Sequence, residues 1–141
     1  MTSPEVPPMP KRWPAAKCCK IFKFCASHYL PNVPSNHPCG RVHGHNYVVE
    51  VEVRGEMNPT RGWVEDFGSI KDNMKPILET LDHHNLNDID GLGNPTAEVL
   101  AGWIMGQYPV MNVYRIRVWE TDSCWAEVVN TEGKWPREMR M

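Results

Sequence analysis

The sequence predicts an α+β domain in which a four-stranded antiparallel sheet is covered on one face by two helices. Two segments of alternating apolar residues come first, two segments with apolar residues every three or four positions follow, and two further alternating segments close the pattern. The resulting order, ββααββ, lacks the strand and helix alternation of a doubly wound sheet. With 141 residues, the chain has the length of one such domain.

The first strand is predicted between residues 18 and 27. Phe22, Phe24 and Ala26 occupy every second position and would therefore face the same side of a half-buried strand. His28 continues this alternation. An irregular, proline-rich connection follows over residues 29–44.

The second strand has the same period of two. Its apolar residues are Tyr47, Val49, Val51 and Val53. His43 and His45 lie on the same parity, so all three histidines are expected on inward-facing positions.

Asp66 is the predicted N-cap of a first helix ending near Leu81, and Pro76 inside it should remove one hydrogen bond and bend it. A second helix is predicted to open at residues 94–96 and to stop before Pro109, with Leu100, Trp103, Ile104 and Gln107 on one face.

Two strands complete the predicted order. Tyr114, Ile116 and Val118 alternate with arginines, and residues 124–129 form a hairpin partner.

Composition narrows the class of protein. A formal charge of -2 and a pI near 6.3, without blocks of like charge, favour neither nucleic acid nor an anionic membrane as a partner. An odd, scattered set of five cysteines and the absence of a signal-like or membrane-spanning apolar run predict a cytoplasmic protein. We expect a proline-rich flexible arm over residues 1–16, a domain over 17–130 and a tail over 131–141.

The three histidines predict a metal site. If the first two strands form an antiparallel hairpin, His28 meets His43 and His45 on the inner face. Three protein ligands with an open fourth position are typical of catalytic zinc. An isolated histidine is more often exposed, or hydrogen-bonded within the core, than bound to a metal. Three histidines at inward-facing strand positions nevertheless favour a Zn²⁺ site.

Three further residues could move protons. Cys39 precedes the histidine pair closely enough to reach its pocket, although an inert thiol is an equal alternative. Asp82 and His83 adjoin at a helix end, where a carboxylate can orient an imidazole for acid–base work. Both residue types are also common at helix ends, so this pair alone is a weak signal.

Glu120 extends the parity of the third strand and is therefore expected on the buried face. A buried carboxylate needs a partner. It could accept paired N–H donors from an aminopyrimidinone ring such as a guanine or a pterin. A salt bridge at the strand end is the alternative.

Together these motifs resemble one enzyme family along most of the chain. They are His28, Cys39-x3-His43-Gly44-His45, Gly62-Trp63-Val64-x-Asp66-Phe67, Leu81-Asp82-His83, Leu86-Asn87-Asp88, Pro95-Thr96-x-Glu98 and Glu120-Thr121. In order and spacing they are similar to the family of 6-pyruvoyl-tetrahydropterin and 6-carboxytetrahydropterin synthases.

The resemblance implies a role for each site residue. His28, His43 and His45 would bind zinc, Cys39, Asp82 and His83 would be catalytic, and the pair Glu120 and Thr121 would bind the pterin. It also implies the tunnelling fold, in which the sheets of several subunits join into a barrel. The expected assembly is a hexamer built from two trimers, with active sites between subunits.

The implied substrate is 7,8-dihydroneopterin triphosphate, whose side-chain hydroxyls zinc would hold and acidify while the ring is reduced by internal redox. In the carboxy branch the side chain is cleaved, which releases acetaldehyde and triphosphate and feeds queuosine and 7-deazaguanine synthesis. The short interval between His28 and the His-Gly-His pair, and that between Cys39 and His43, resemble this branch.

Two alternatives remain at this point. The pyruvoyl branch would eliminate triphosphate without breaking the carbon chain. A non-catalytic zinc- or pterin-binding module would keep the pocket without turnover.

Overall fold

A computed structural model describes residues 15–131 of the chain. Its sheet contains β1 (Ala15–His28), β2 (His43–Glu56), β3 (Val113–Thr121) and β4 (Cys124–Val129), in that spatial order and antiparallel throughout. The helices α1 (Phe67–Leu81) and α2 (Ala97–Gln107) lie between β2 and β3 in the chain. The predicted ββααββ order is therefore confirmed.

Strand β1 begins at Ala15, earlier than the predicted domain start at residue 17. Its register pairs Phe22 with Val49 and ends with His28 opposite His43. The rest of the predicted arm, residues 1–14, and the predicted tail from residue 132 onward lie outside the described residues.

The helices begin at side-chain caps. Asp66 accepts a hydrogen bond from the Gly68 amide at 3.1 Å, and Thr96 accepts one from the Val99 amide at 3.1 Å. Helix α1 continues through Pro76, where the ring leaves one backbone carbonyl without its usual donor.

The core lies between the helices and one face of the sheet. Full burial of one such aliphatic side chain stabilises the fold by about 1.5–3 kcal/mol. The parities predicted for β1 and β2 are confirmed, because Phe22, Phe24 and the four apolar β2 residues are buried. On α2, Leu100 and Ile104 of the predicted face are buried, whereas Trp103 is half-buried and Gln107 is exposed. The other buried residues of α2 are Ala97, Ala101 and Met105.

The opposite face of the sheet is polar. Glu52 is only 3% exposed there and lies in an ion-pair network with Arg54, Arg115 and Lys17. A carboxylate buried to this extent is tolerated because several cations surround it.

Two short 3₁₀ turns, Pro38–Gly40 and Leu86–Asp88, were not predicted. The five cysteines are free thiols. Within residues 15–131, no helix has both the length and the apolar character needed to cross a bilayer.

Candidate metal centre and acid–base pair

Three histidines converge where the β1–β2 hairpin ends. His28 pairs across the sheet with His43, and His45 follows on the same face of β2. One ring nitrogen of each lies within 4.8 Å of the others, and the Nε2 atoms of His28 and His43 are 3.0 Å apart. The predicted convergence is thus present.

Backbone carbonyls fix two of these rings. Nδ1 of His28 lies 2.8 Å from the Pro95 carbonyl, and Nδ1 of His43 lies 2.6 Å from the Arg41 carbonyl. A carbonyl oxygen only accepts, so each Nδ1 carries the hydrogen and each Nε2 of a neutral ring presents a lone pair. Two lone pairs facing each other at 3.0 Å repel unless a proton or a cation lies between them. The site is therefore suited to a metal ion, with outer hydrogen bonds of the kind that orient histidine ligands.

The environment of His45 favours a neutral ligand. Burial lowers the pKa of His45 below its ordinary value, and the Glu120 carboxylate offsets only part of this effect. His28 and His43 lower the pKa further, because a second positive charge there would be unfavourable. A metal ion requires the unprotonated imidazole.

Glu120 lies beside the histidines but is less buried than predicted. Its side chain is 26% exposed, and Oε2 is 4.0 Å from Nε2 of His45. The buried Tyr47 hydroxyl lies 3.3 Å from Nδ1 of His28. Burial and the nearby Glu120 charge raise the pKa of Tyr47, so the phenol stays protonated. Thr121 is exposed at the β3–β4 turn, where its hydroxyl accepts from the Ser123 amide.

The Asp82–His83 pair lies at the C-terminal end of α1, against the outer edge of β1. One Asp82 oxygen accepts from the Cys25 amide at 2.9 Å, and the other is 2.9 Å from Nδ1 of His83. These hydrogen bonds hold the pKa of Asp82 below its ordinary value, so the carboxylate is ionised at neutral pH. His83 itself is 80% exposed.

A cavity of about 440 Å³ has both His45 and His83 in its lining. Its other lining residues are Cys25, Ala26, Ser27, Gly44, Asn46, His84 and Asn85. One histidine of the cluster and one residue of the Asp82–His83 pair therefore line the same cavity.

Cys39 lies in the first 3₁₀ turn. Its amide donates to Nδ1 of His37 at 3.1 Å, and its carbonyl accepts from the Leu30 amide at 2.7 Å. In the part of the chain that the structure describes, no hydrogen bond joins the Cys39 thiol to Asp82 or His83. Within a single chain, Cys39 is therefore not hydrogen-bonded through its thiol to either of the other two predicted catalytic residues.

Sequence reasoning missed the groups that hold the site in place. The carbonyls of Arg41 and Pro95 leave no signal in a sequence, because every residue has one. The exposed His37 caps the turn that carries Cys39. Asn87 binds both the amide and the carbonyl of Tyr29, which fixes the start of the loop.

Comparison with known proteins places the chain in a family. The sequence model of the 6-pyruvoyl tetrahydropterin synthase family matches residues 17–131. A 6-carboxy-5,6,7,8-tetrahydropterin synthase from Synechocystis is 36% identical over 110 residues, which cover 72% of this chain and 84% of that protein. The human 6-pyruvoyl tetrahydrobiopterin synthase is 38% identical over 96 residues, 62% of this chain and 65% of that protein.

The architecture agrees with this result. The solved structure of the Caenorhabditis elegans 6-pyruvoyl tetrahydropterin synthase superposes with a TM-score of 0.78 at 27% identity, covering 85% of this chain and 99% of that chain. The predicted tunnelling fold is thereby confirmed for the single chain. With its fold and its sequence both matched, the chain belongs to the 6-pyruvoyl tetrahydropterin synthase family.

Proposed function

We propose that this protein is a zinc-dependent lyase that converts 7,8-dihydroneopterin triphosphate to 6-carboxy-5,6,7,8-tetrahydropterin, acetaldehyde and triphosphate. The observation that carries the proposal is the arrangement of His28, His43 and His45, two of them with Nδ1 bound to a carbonyl and Nε2 directed into the cluster. The similarity to the Synechocystis carboxy synthase supports the choice of product.

The donor set fits zinc. Three neutral imidazoles are a known catalytic zinc set, in which a fourth position remains for water or substrate. When bound, Zn²⁺ would supply Lewis acidity toward the hydroxyl groups of the substrate side chain. His28, His43 and His45 would hold it.

The remaining residues would bind the ring and move protons. Glu120, 4.0 Å from His45, would accept N–H groups of the pterin ring while the side chain of the substrate points to the cluster. His83 would exchange protons with the substrate, because the ionised Asp82 holds its ring in one orientation. Cys39 is the proposed second acid–base group, and Thr121 a proposed pterin contact.

The lack of a direct link between Cys39 and the Asp82–His83 pair within one chain supports a site completed by another subunit. We propose a homo-oligomer, a hexamer of two trimers, as the working form. Free thiols throughout residues 15–131 fit a cytoplasmic protein, and the carboxypterin product would feed queuosine synthesis.

A second candidate is formation of 6-pyruvoyl-tetrahydropterin. The similarity to the C. elegans and human pyruvoyl synthases favours it. The two reactions differ in one bond, because only the carboxy synthase breaks the carbon chain and releases acetaldehyde.

The test is to incubate the purified protein with 7,8-dihydroneopterin triphosphate and to measure acetaldehyde and triphosphate together. The proposal predicts equal amounts of the two, and loss of both after metal removal with recovery on adding Zn²⁺. Triphosphate release with a pyruvoyl product and no acetaldehyde would establish the second candidate instead. The absence of both products would refute pterin catalysis.

A further inference from the structure

Asn87 takes the place of a strand partner at the end of β1. Its side-chain oxygen accepts a hydrogen bond from the Tyr29 amide at 2.9 Å, and its side-chain nitrogen donates to the Tyr29 carbonyl at 2.8 Å. Tyr29 follows directly after His28, the last residue of β1. One side chain therefore binds both main-chain groups of one residue. We call this pair of hydrogen bonds the Asn87 clamp.

The clamp depends on the carboxamide group. A carboxamide presents one acceptor and one donor side by side, as a peptide group does, whereas an ionised carboxylate only accepts. An aspartate at this position would hold an oxygen against the Tyr29 carbonyl. Both Asn87 and Tyr29 are half-buried, so main-chain groups that lost this partner would be hydrated only in part.

Asn87 makes the last contact in a longer pairing along the outer edge of β1. In an edge strand of an antiparallel sheet, every second residue directs its amide and carbonyl away from the neighbouring strand. Residues 82–87, which we call the edge segment, bind such groups of Cys25, Ser27 and Tyr29 in turn. The edge segment therefore has a fixed register against β1, with the acid–base pair at its first contact.

The clamp also fixes the loop that carries Cys39. The amide of Leu30, the residue after Tyr29, donates to the Cys39 carbonyl at 2.7 Å. Leu86, beside Asn87 in the edge segment, is fully buried, so the clamp is anchored on the core. A displacement of Asn87 would consequently be transmitted to the Cys39 loop and to the edge segment together.

We propose that Asn87 is a positioning residue for proton transfer, which fixes the Cys39 loop against the segment that carries Asp82 and His83. This inference rests on the proposed function, in which these three groups exchange protons with the substrate. Where a neighbouring subunit completes the site, the clamp sets both contributions of each chain in one arrangement. Small displacements lower the rate strongly, because reacting atoms must approach within about 3–3.5 Å of each other.

The first measurement is the steady-state release of triphosphate from 7,8-dihydroneopterin triphosphate, which both candidate reactions produce. Asn87→Ala should lower kcat about 10- to 100-fold and change KM by less than about 3-fold. Asn87→Asp preserves the shape of the side chain but loses the donor to Tyr29, so its kcat should fall to a similar extent. Wild-type turnover by Asn87→Asp would refute the proposal, because packing alone would then be sufficient.

The matched control is Asn58→Ala. Asn58 also binds the main chain through two hydrogen bonds, accepting from the Thr60 and Arg61 amides at 2.9 Å each, but it does so in the turn between β2 and α1. Its replacement should change kcat by less than about 2-fold. Thermal unfolding checks that each variant is folded. An equal loss of kcat in the control would contradict a specific role for Asn87.

Zinc content separates a positioning role from damage to the metal centre. It should remain that of the wild type in both Asn87 variants, because the hydrogen bonds that Asn87 makes with described residues go to Tyr29 and Asn85. A loss of zinc in parallel with the loss of turnover would contradict the proposal.

Hydrogen–deuterium exchange of the zinc-loaded protein tests the clamp independently of turnover. Asn87→Asp should accelerate exchange at least about 5-fold in residues 29–40 and 82–87, whereas Asn58→Ala should leave both ranges unchanged. If the wild type does not turn over the pterin, the proposed function is refuted, while exchange still decides whether the clamp joins the two segments. Unchanged exchange in both ranges would refute the clamp even if turnover fell.

Discussion

The Asp82 carboxylate lies 2.9 Å from Nδ1 of His83, while its other oxygen is bound to the backbone of β1. The His83 amide donates to the Cys25 carbonyl, and the Ser27 amide donates to the His84 carbonyl. The segment after α1 therefore pairs with the edge of β1 almost as a further strand would. This pairing holds Asp82 and His83 against β1, with His83 in the lining of the cavity that reaches His45.

His83 adopts the left-handed backbone conformation, with φ of 60°. Glycine takes up this conformation without the steric cost that a Cβ imposes. Although both variants lose the imidazole, we expect the free energy of unfolding of His83→Gly to exceed that of His83→Ala by about 1 kcal/mol. Both should be strongly impaired in turnover. Urea unfolding and an acetaldehyde assay measure the two effects, and equal stabilities would contradict the backbone argument.

Glu52 should be the most important carboxylate for stability on the polar face of the sheet. Burial alone would raise its pKa, but hydrogen bonds from Arg115 and Arg54 outweigh this and hold the pKa of Glu52 below its ordinary value of 4.5. Glu52→Gln should lower the free energy of unfolding by about 2 kcal/mol at pH 7. Glu127→Gln, at a more exposed site paired with arginine, should cost about 0.5 kcal/mol.

The same carboxylate predicts a pH dependence. A pKa that is lower in the folded state stabilises the protein above the unfolded-state pKa, and this stabilisation is lost as the pH falls through the folded-state value. The difference between wild type and Glu52→Gln should therefore be constant at neutral pH and shrink below about pH 4.5. Urea unfolding at one protein concentration across this range checks it; a difference that grows toward low pH would contradict it.

Cys39 should be needed for turnover but not for metal binding. We expect Cys39→Ala to reduce acetaldehyde formation at least about 100-fold, the usual scale for loss of an acid–base group. Its zinc content should be unchanged, because the thiol is not in the histidine cluster. Cys19→Ala, an exposed thiol on the polar face of the sheet, is the control. Undiminished activity in Cys39→Ala would refute its role.

Much of the fold followed from local patterns. Phe22, Phe24 and Tyr47 are buried as their period of two predicted, and Asp66 caps α1 as predicted. These features depend on short-range physics, namely side-chain alternation and unsatisfied helix amides. The convergence of the three histidines was also predicted, because they occupy inward-facing positions of two strands that were expected to form a hairpin.

Other features depend on distant contacts that no local pattern encodes. The Pro95 carbonyl reaches His28 only because the start of α2 packs near the end of β1. Glu120 was predicted on the buried face, but it lies near the end of β3, and this position leaves it partly exposed. The pairing of residues 82–85 with the edge of β1 could not be predicted either, because the sequence at the end of a helix does not indicate which strand it will contact.

The metal content of the protein tests the central claim most directly. Inductively coupled plasma mass spectrometry should find about one zinc per chain in wild type, and much less in His43→Ala at unchanged circular dichroism, because two imidazoles bind Zn²⁺ far more weakly than three. His84→Ala, an exposed histidine outside the cluster, should keep the metal. Full zinc retention by His43→Ala would contradict a metal centre formed by His28, His43 and His45.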